Sequence, residues 1–210
     1  MRITYLFDAL CGWCYGAGPA IERLAALEDV TVELAPTGLF AGAGARSMDA
    51  GFAAYAWQND QRIARLTGQP FTEVYRSQVL GATGSLFDSA PATLGIVATG
   101  IEAPGREIEI LKRLQRARYE EGRDIADRAI VADLLAEAAL TDQAQRVRSP
   151  DEELLAAYHR RIDTARADMR RFGVDGVPAL VLDDGAGRRL LRGNALFGHF
   201  DLLLAEMRAA

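Results

Sequence analysis

The chain has little from which to build a stapled or metal-held scaffold: its 210 residues include two cysteines and two histidines. Two thiols close at most one disulfide, so the fold has to rest on a buried apolar core. The histidines, His159 and His199, lie far from the cysteines and from each other without ligand spacing, and no metal site is expected. Lysine is almost missing too, since Lys112 is the only one among 24 basic residues. Against 29 acidic residues this leaves a net charge of -5. That balance is wrong for a basic nucleic-acid face and for an anionic membrane surface, so neither is an expected partner. No apolar run approaches the roughly 18 residues of a membrane span. Only Ile3 to Phe7 separate Met1-Arg2 from Asp8, too short a stretch for a signal-peptide core, and a cytoplasmic location is expected.

What is present is ordinary globular material, with 50% hydrophobic and 25% charged residues in a length that suits one large domain or one with an insertion. Arg2 to Phe7 reads as a buried strand. Cys14 to Leu27 has helical spacing with Pro19 near its start, and Val30 to Ala35 alternates as a second strand. Strand, helix and strand make a β-α-β unit with a parallel pair. From about residue 40 to 172 the period is helical, with helices expected at 49–67, 72–80, 90–101, 106–121 and 126–140. A last one is announced by a capping box at Ser149-Pro150-Asp151-Glu152. Its apolar face is expected to run through Leu155, Tyr158, Ile162, Ala165, Met169 and Phe172, ending at Gly173. Ala179 to Leu182 and Arg189 to Leu191 read as a hairpin around Asp183 to Gly187, and Phe197 to Met207 as a closing amphipathic helix.

Both cysteines fall in Cys11-Gly12-Trp13-Cys14, just after the first strand and just before the first helix. A thiolate is the nucleophile in disulfide exchange, and the free N–H groups of a helix N-terminus stabilise it. Cys11 is therefore expected at that terminus, exposed, as the attacking thiol. Cys14, one turn further in, resolves the mixed disulfide. Gly173 to Pro178 opens the second strand block, and a proline before a strand suits a cis peptide. Such a loop would leave Val177 beside Pro178 free to pair with an extended substrate. Asp8 is a candidate proton acceptor. Trp13 is either a substrate-facing lid or a packed aromatic. The competing readings of the pair are packed core thiols or half a zinc site.

These residues resemble a known family. Asp8-Ala9-Leu10-Cys11-Gly12-Trp13-Cys14-Tyr15-Gly16 is similar to the D-x-x-C-x-W-C-Y-x-G signature of the cytoplasmic protein-disulfide-isomerase, or FrnE-like, branch of the DsbA family. Gly176-Val177-Pro178 and the Asp88-Ser89 helix start fit that branch as well. The resemblance implies an α/β thioredoxin fold with a large inserted all-helical domain: residues 1–39 and 173–210 form the thioredoxin part and residues 40–172 the insertion. It also implies a thiol–disulfide oxidoreductase, with protein-disulfide isomerase activity borrowed from the family name. Gly12, Trp13, Val177 and Pro178 would contact substrate. Partners would be protein or small-molecule thiols and disulfides. No cofactor is expected beyond the Cys11–Cys14 disulfide, with glutathione a candidate co-substrate. The chain departs from thioredoxins six positions before the first cysteine, where they hold a buried carboxylate and it has Tyr5. Two other readings stay open: a glutathione-dependent transferase or isomerase of the kappa-class type, and a redox-gated binding or chaperone module.

Overall fold

The computed structural model describes residues 1–197 and 200–209; His199 lies outside them. Strand β1 (Arg2–Phe7) is buried on both faces, with Tyr5 and Phe7 toward the main core and Leu6 toward a second, smaller one. Helix α1 (Gly12–Ala25) crosses over to β2 (Thr31–Pro36), which pairs parallel with β1. Pro19 is accommodated inside α1, in its middle turns.

The intervening block is mostly helical. A two-residue ribbon joins β3 (Arg46–Ser47) antiparallel to β4 (Leu86–Phe87), a detail too short for any periodicity to show. Around it lie α2 (Ala50–Thr67) and α3 (Glu73–Tyr75, continued as a π turn over Arg76–Leu80). Helices α4 (Ala90–Glu102) and α5 (Glu107–Tyr119) follow. The stretch expected as one helix over 126–140 is shorter, α6 (Arg128–Glu137), and a separate α7 (Thr141–Arg148) comes after it. The break is at Ala139, whose φ of 59° is left-handed, a conformation that ends a helix of L-residues.

The capping box also sits in a different register. Asp151, not Ser149, caps α8 (Glu152–Phe172) by accepting the Leu154 N–H at 2.7 Å, and Arg146 holds its carboxylate from α7. The buried stripe accordingly starts at Leu154, while Leu155 is 41% exposed. Gly173 ends α8 at φ 63°, where the missing Cβ removes the steric penalty.

Strands β5 (Ala179–Asp183) and β6 (Arg188–Leu191) form the expected hairpin. β5 pairs antiparallel with β1, giving the sheet order β2-β1-β5-β6. Ala165 of α8 packs on Leu6, Ala179 and Val181 on one face of this sheet. Arg188 of β6 grips both oxygens of Asp168 on α8, at 2.8 and 2.5 Å. The closing helix α9 (Phe200–Arg208) starts later than its apolar pattern suggests, because Gly193–Phe197 is a 3-10 turn. Among the described residues no helix is long and apolar enough to cross a membrane.

Candidate active site

Cys11 precedes the first residue of α1 in an extended conformation, and its sulfur accepts the Cys14 N–H at 3.4 Å. The sulfur thus takes the place of a capping oxygen, where the helix dipole and free amides favour a negative charge. The thiol is not exposed as expected. It is 7% accessible, within the main buried cluster, and its Sγ donates to the Val177 carbonyl at 3.5 Å. The Val177–Pro178 peptide is cis. Both residues are half-buried, and among the described residues the Val177 N–H has no hydrogen-bond partner.

Cys14 has a different environment. It is 1% exposed, and burial pushes its ionisation well above the usual thiol range, with the neighbouring Cys11 sulfur adding to the rise. The two thiols are thereby distinguished: one sits at a helix terminus under a thin cover, the other is sealed and protonated. Gly12 and Trp13, between them, are half-buried. Trp13 packs edge-on against Phe197 at 5.0 Å, with the Arg62 guanidinium 5.7 Å from its ring centre.

Asp8 is completely buried, and both carboxylate oxygens are engaged. Oδ1 accepts the Leu10 N–H at 2.9 Å, while Oδ2 accepts the Phe40 N–H at 3.1 Å and the Ser89 hydroxyl at 2.7 Å. Burial raises its pKa against the pull of these donors. The carboxylate so joins the end of β1 to the start of the helical block and to Ser89 before α4. Asp8→Ala strands buried donors on three residues and is expected to lower unfolding stability by about 3 kcal/mol, measured by urea denaturation at pH 7. A loss under about 0.5 kcal/mol would show that water replaces the carboxylate there.

Tyr5 stands where thioredoxins keep their carboxylate. Its hydroxyl donates to the Cys14 carbonyl at 3.2 Å. Burial holds its pKa well above the ordinary phenol value, reinforced by Cys14 and Cys11, so it remains a neutral donor. It cannot serve as a base beside the resolving thiol.

Sequence reasoning missed the contributions of the helical block. The Tyr119 hydroxyl donates to the Leu10 carbonyl at 2.8 Å, directly before Cys11. Asp60 of α2 abuts Gly12: a Cβ added to Gly12 would stand 2.5 Å from Asp60 Oδ1. Four residues on, a Cβ at Gly16 would meet Ile63 at 2.6 Å, so Gly12 and Gly16 of α1 admit α2 at close range. Tyr75 donates to Asp60 Oδ2 at 3.0 Å. Behind them Arg118, 1% exposed, pairs with Asp124 at 2.7 Å and lies over the Tyr75 and Phe87 rings. One signal for Asp60 was available: it falls on the apolar stripe of its helix, between Ala56 and Ile63.

Geometry of this kind is what a thiol-exchange centre needs. Residues 2–205 match the DSBA-like thioredoxin domain. The chain belongs to that family. As a member of the DSBA-like family it is a thiol–disulfide oxidoreductase. Among solved structures it is similar to a cytosolic disulfide reductase, DsbM from Pseudomonas aeruginosa, at 32% identity over 100% of both chains with a TM-score of 0.86. A second structure of that reductase, with GSH, superimposes with a TM-score of 0.84 at 32% identity over 100% of both chains. A protein from Nitrosomonas europaea taken to be a disulfide isomerase shares the fold at 23% identity, with a TM-score of 0.77 over 99% of this chain and 98% of that one. No curated protein sequence matches.

Proposed function

We propose that this chain is a cytoplasmic disulfide reductase in which Cys11 attacks, Cys14 resolves and a small thiol of the glutathione type restores the reduced pair. The observation that carries this reading is the capping of α1 by the Cys11 sulfur, with the sealed Cys14 one turn behind it. The Cys11 thiolate attacks one sulfur of a substrate disulfide, expelling the other as a thiolate and leaving a mixed disulfide. Cys14 then loses its proton to solvent and attacks the Cys11 sulfur, releasing the second substrate thiolate and closing the Cys11–Cys14 disulfide. Two equivalents of glutathione reopen that disulfide and leave as glutathione disulfide.

The Val177 N–H beside Pro178 would hold the substrate backbone by strand addition, with Gly12 and Trp13 on the opposite rim. Asp8 and Tyr5 would brace the centre rather than exchange protons with it. The likeness to a cytosolic reductase, and the structure of that reductase with GSH, support the direction, the thiol and the compartment. The intact cysteine pair speaks against a kappa-class transferase, which carries no resolving thiol.

The reduction potential of the Cys11–Cys14 pair, equilibrated against glutathione buffers, tests the direction. A value near about -270 mV is expected of a cytosolic reductant, whereas one near about -120 mV would make the protein an oxidant. Failure to form the disulfide at all would overturn the reading.

A further inference from the structure

Among the described residues, Asp60 is a carboxyl that the helical block places against Gly12 in the thiol-bearing turn, and the reaction as described does not use it. It is 5% exposed, its Oδ1 faces Gly12 at the first position of α1, and its Oδ2 is held by the Tyr75 hydroxyl at 3.0 Å. The ionisable groups whose charges bear on it are Tyr75 from α3 and Arg118 and Tyr119 from α5, while Cys11 and Cys14 lie on either side of Gly12 and Trp13 in sequence. Arg118 is the only cation among them, and it is already committed to Asp124 at 2.7 Å.

We propose, resting on the reading of Cys11 as the attacking thiol, that Asp60 is a positioning residue whose protonation state governs the reactivity of Cys11 through the N-terminus of α1. A neutral Asp60 leaves the positive end of that helix to the Cys11 thiolate. An ionised Asp60 places a second anion within the same first turn, where the dipole acts, and in surroundings too dry to screen it.

Two features make the device operate in ordinary buffers. Burial pushes the Asp60 pKa up to about 7, while the Tyr75 hydrogen bond and then Arg118 pull it back only in part. Both forms are thus populated around neutrality. Gly12 brings the carboxylate close, because any side chain there would collide with it. The coupling is reciprocal. Ionised Asp60 favours the uncharged disulfide over the thiolate, and reduction of the pair favours uptake of a proton from solvent at Asp60.

The test is the pH profile of Cys11 alkylation by iodoacetamide in the reduced full-length protein, followed by peptide mass spectrometry from pH 5.5 to 9. The wild-type rate is expected to rise less steeply above pH 7. Asp60→Asn keeps an acceptor for Tyr75 but carries no charge. It should match wild type below pH 6 and exceed it about three- to tenfold at pH 8.5. Tyr75→Phe removes a donor to the carboxylate and should move the wild-type break to higher pH, a displacement that a purely structural role does not produce. Superimposed Asp60→Asn and wild-type profiles, or a uniform loss of rate at every pH, would overturn the proposal. If Asp60→Asn does not fold, an unmoved break in Tyr75→Phe overturns it alone. Alkylation needs only a free thiol, so a protein that alkylates with this profile yet exchanges no disulfides would refute the reductase reading and not this one.

Discussion

Cys11→Ser is expected to reduce disulfide reduction by at least about a thousandfold, while Cys14→Ser stops the reaction half-way with substrate attached. The difference follows from the two environments. Cys11 holds the capping position of α1, where a thiolate gains from the Cys14 N–H and the helix dipole, and serine at neutral pH offers no comparable nucleophile. Cys14 is buried and protonated, so in the proposed reaction it contributes only after a mixed disulfide has formed next to it. Without it nothing within the site displaces the bound half of the substrate. The measurement pairs insulin reduction driven by glutathione with intact mass after exposure to glutathione disulfide. Cys14→Ser should gain one glutathionyl group per chain and keep it; Cys11→Ser should gain none. Wild-type turnover by Cys11→Ser, or an adduct on Cys14 alone, would reverse the assigned roles. If both variants suppress client aggregation as wild type does, a binding module accounts for that activity and the exchange chemistry does not.

Asp60→Asn is expected to stabilise the protein at pH 8 by up to about 4 kcal/mol and to leave it nearly unchanged at pH 4. The sign follows from the direction of the shift. Asp60 in the folded chain holds its proton up to about 7, well above the value of about 4 for an unfolded aspartate. Between those two values the folded state binds the extra proton, so wild-type stability falls as pH rises through the window and levels off above it. Asparagine has no proton to lose, and the variant escapes that slope. Urea unfolding at pH 4, 6 and 8 reads the effect directly, as a gap that opens with pH. Parallel curves across the three conditions would mean that Asp60 is solvated in the native state. A native carboxylate that weakens the fold at working pH is what a site selected for chemistry shows, and the stability variant is expected to alter Cys11 reactivity as well.

Much of this was readable along the chain. The β-α-β opening and the C-terminal hairpin appear where alternation and helical spacing put them, because strands and helices with one solvent-distant face leave a periodic trace. The family match confirmed the fold class and the enzyme class that Cys11-x-x-Cys14 at the strand-to-helix junction pointed to. Other features left no such trace. α7 follows a break made by a left-handed Ala139, which propensity gives no reason to expect. The α8 cap moved from Ser149 to Asp151 because Arg146 of the neighbouring helix holds the Asp151 carboxylate in place. Cys11 was expected to be exposed, and it is buried, with its sulfur donating to a carbonyl 166 residues away.

Local order and the candidate thiol pair therefore came from the chain itself, since both depend on residues close in sequence and on intrinsic backbone preference. Which groups surround the pair was decided by long-range packing. Tyr119 reaches Leu10 across 109 residues, Ser89 reaches Asp8 across 81, and α2 reaches α1 through Gly12 and Gly16. Burial then changes what those groups are chemically. An aspartate on a surface helix is an ordinary anion, whereas the same residue pressed against Gly12 and capped by Tyr75 titrates near neutrality. Desolvation is a property of the assembled core, and it is this that turns Asp60 from a polar residue in an apolar stripe into a charge able to act on the thiol.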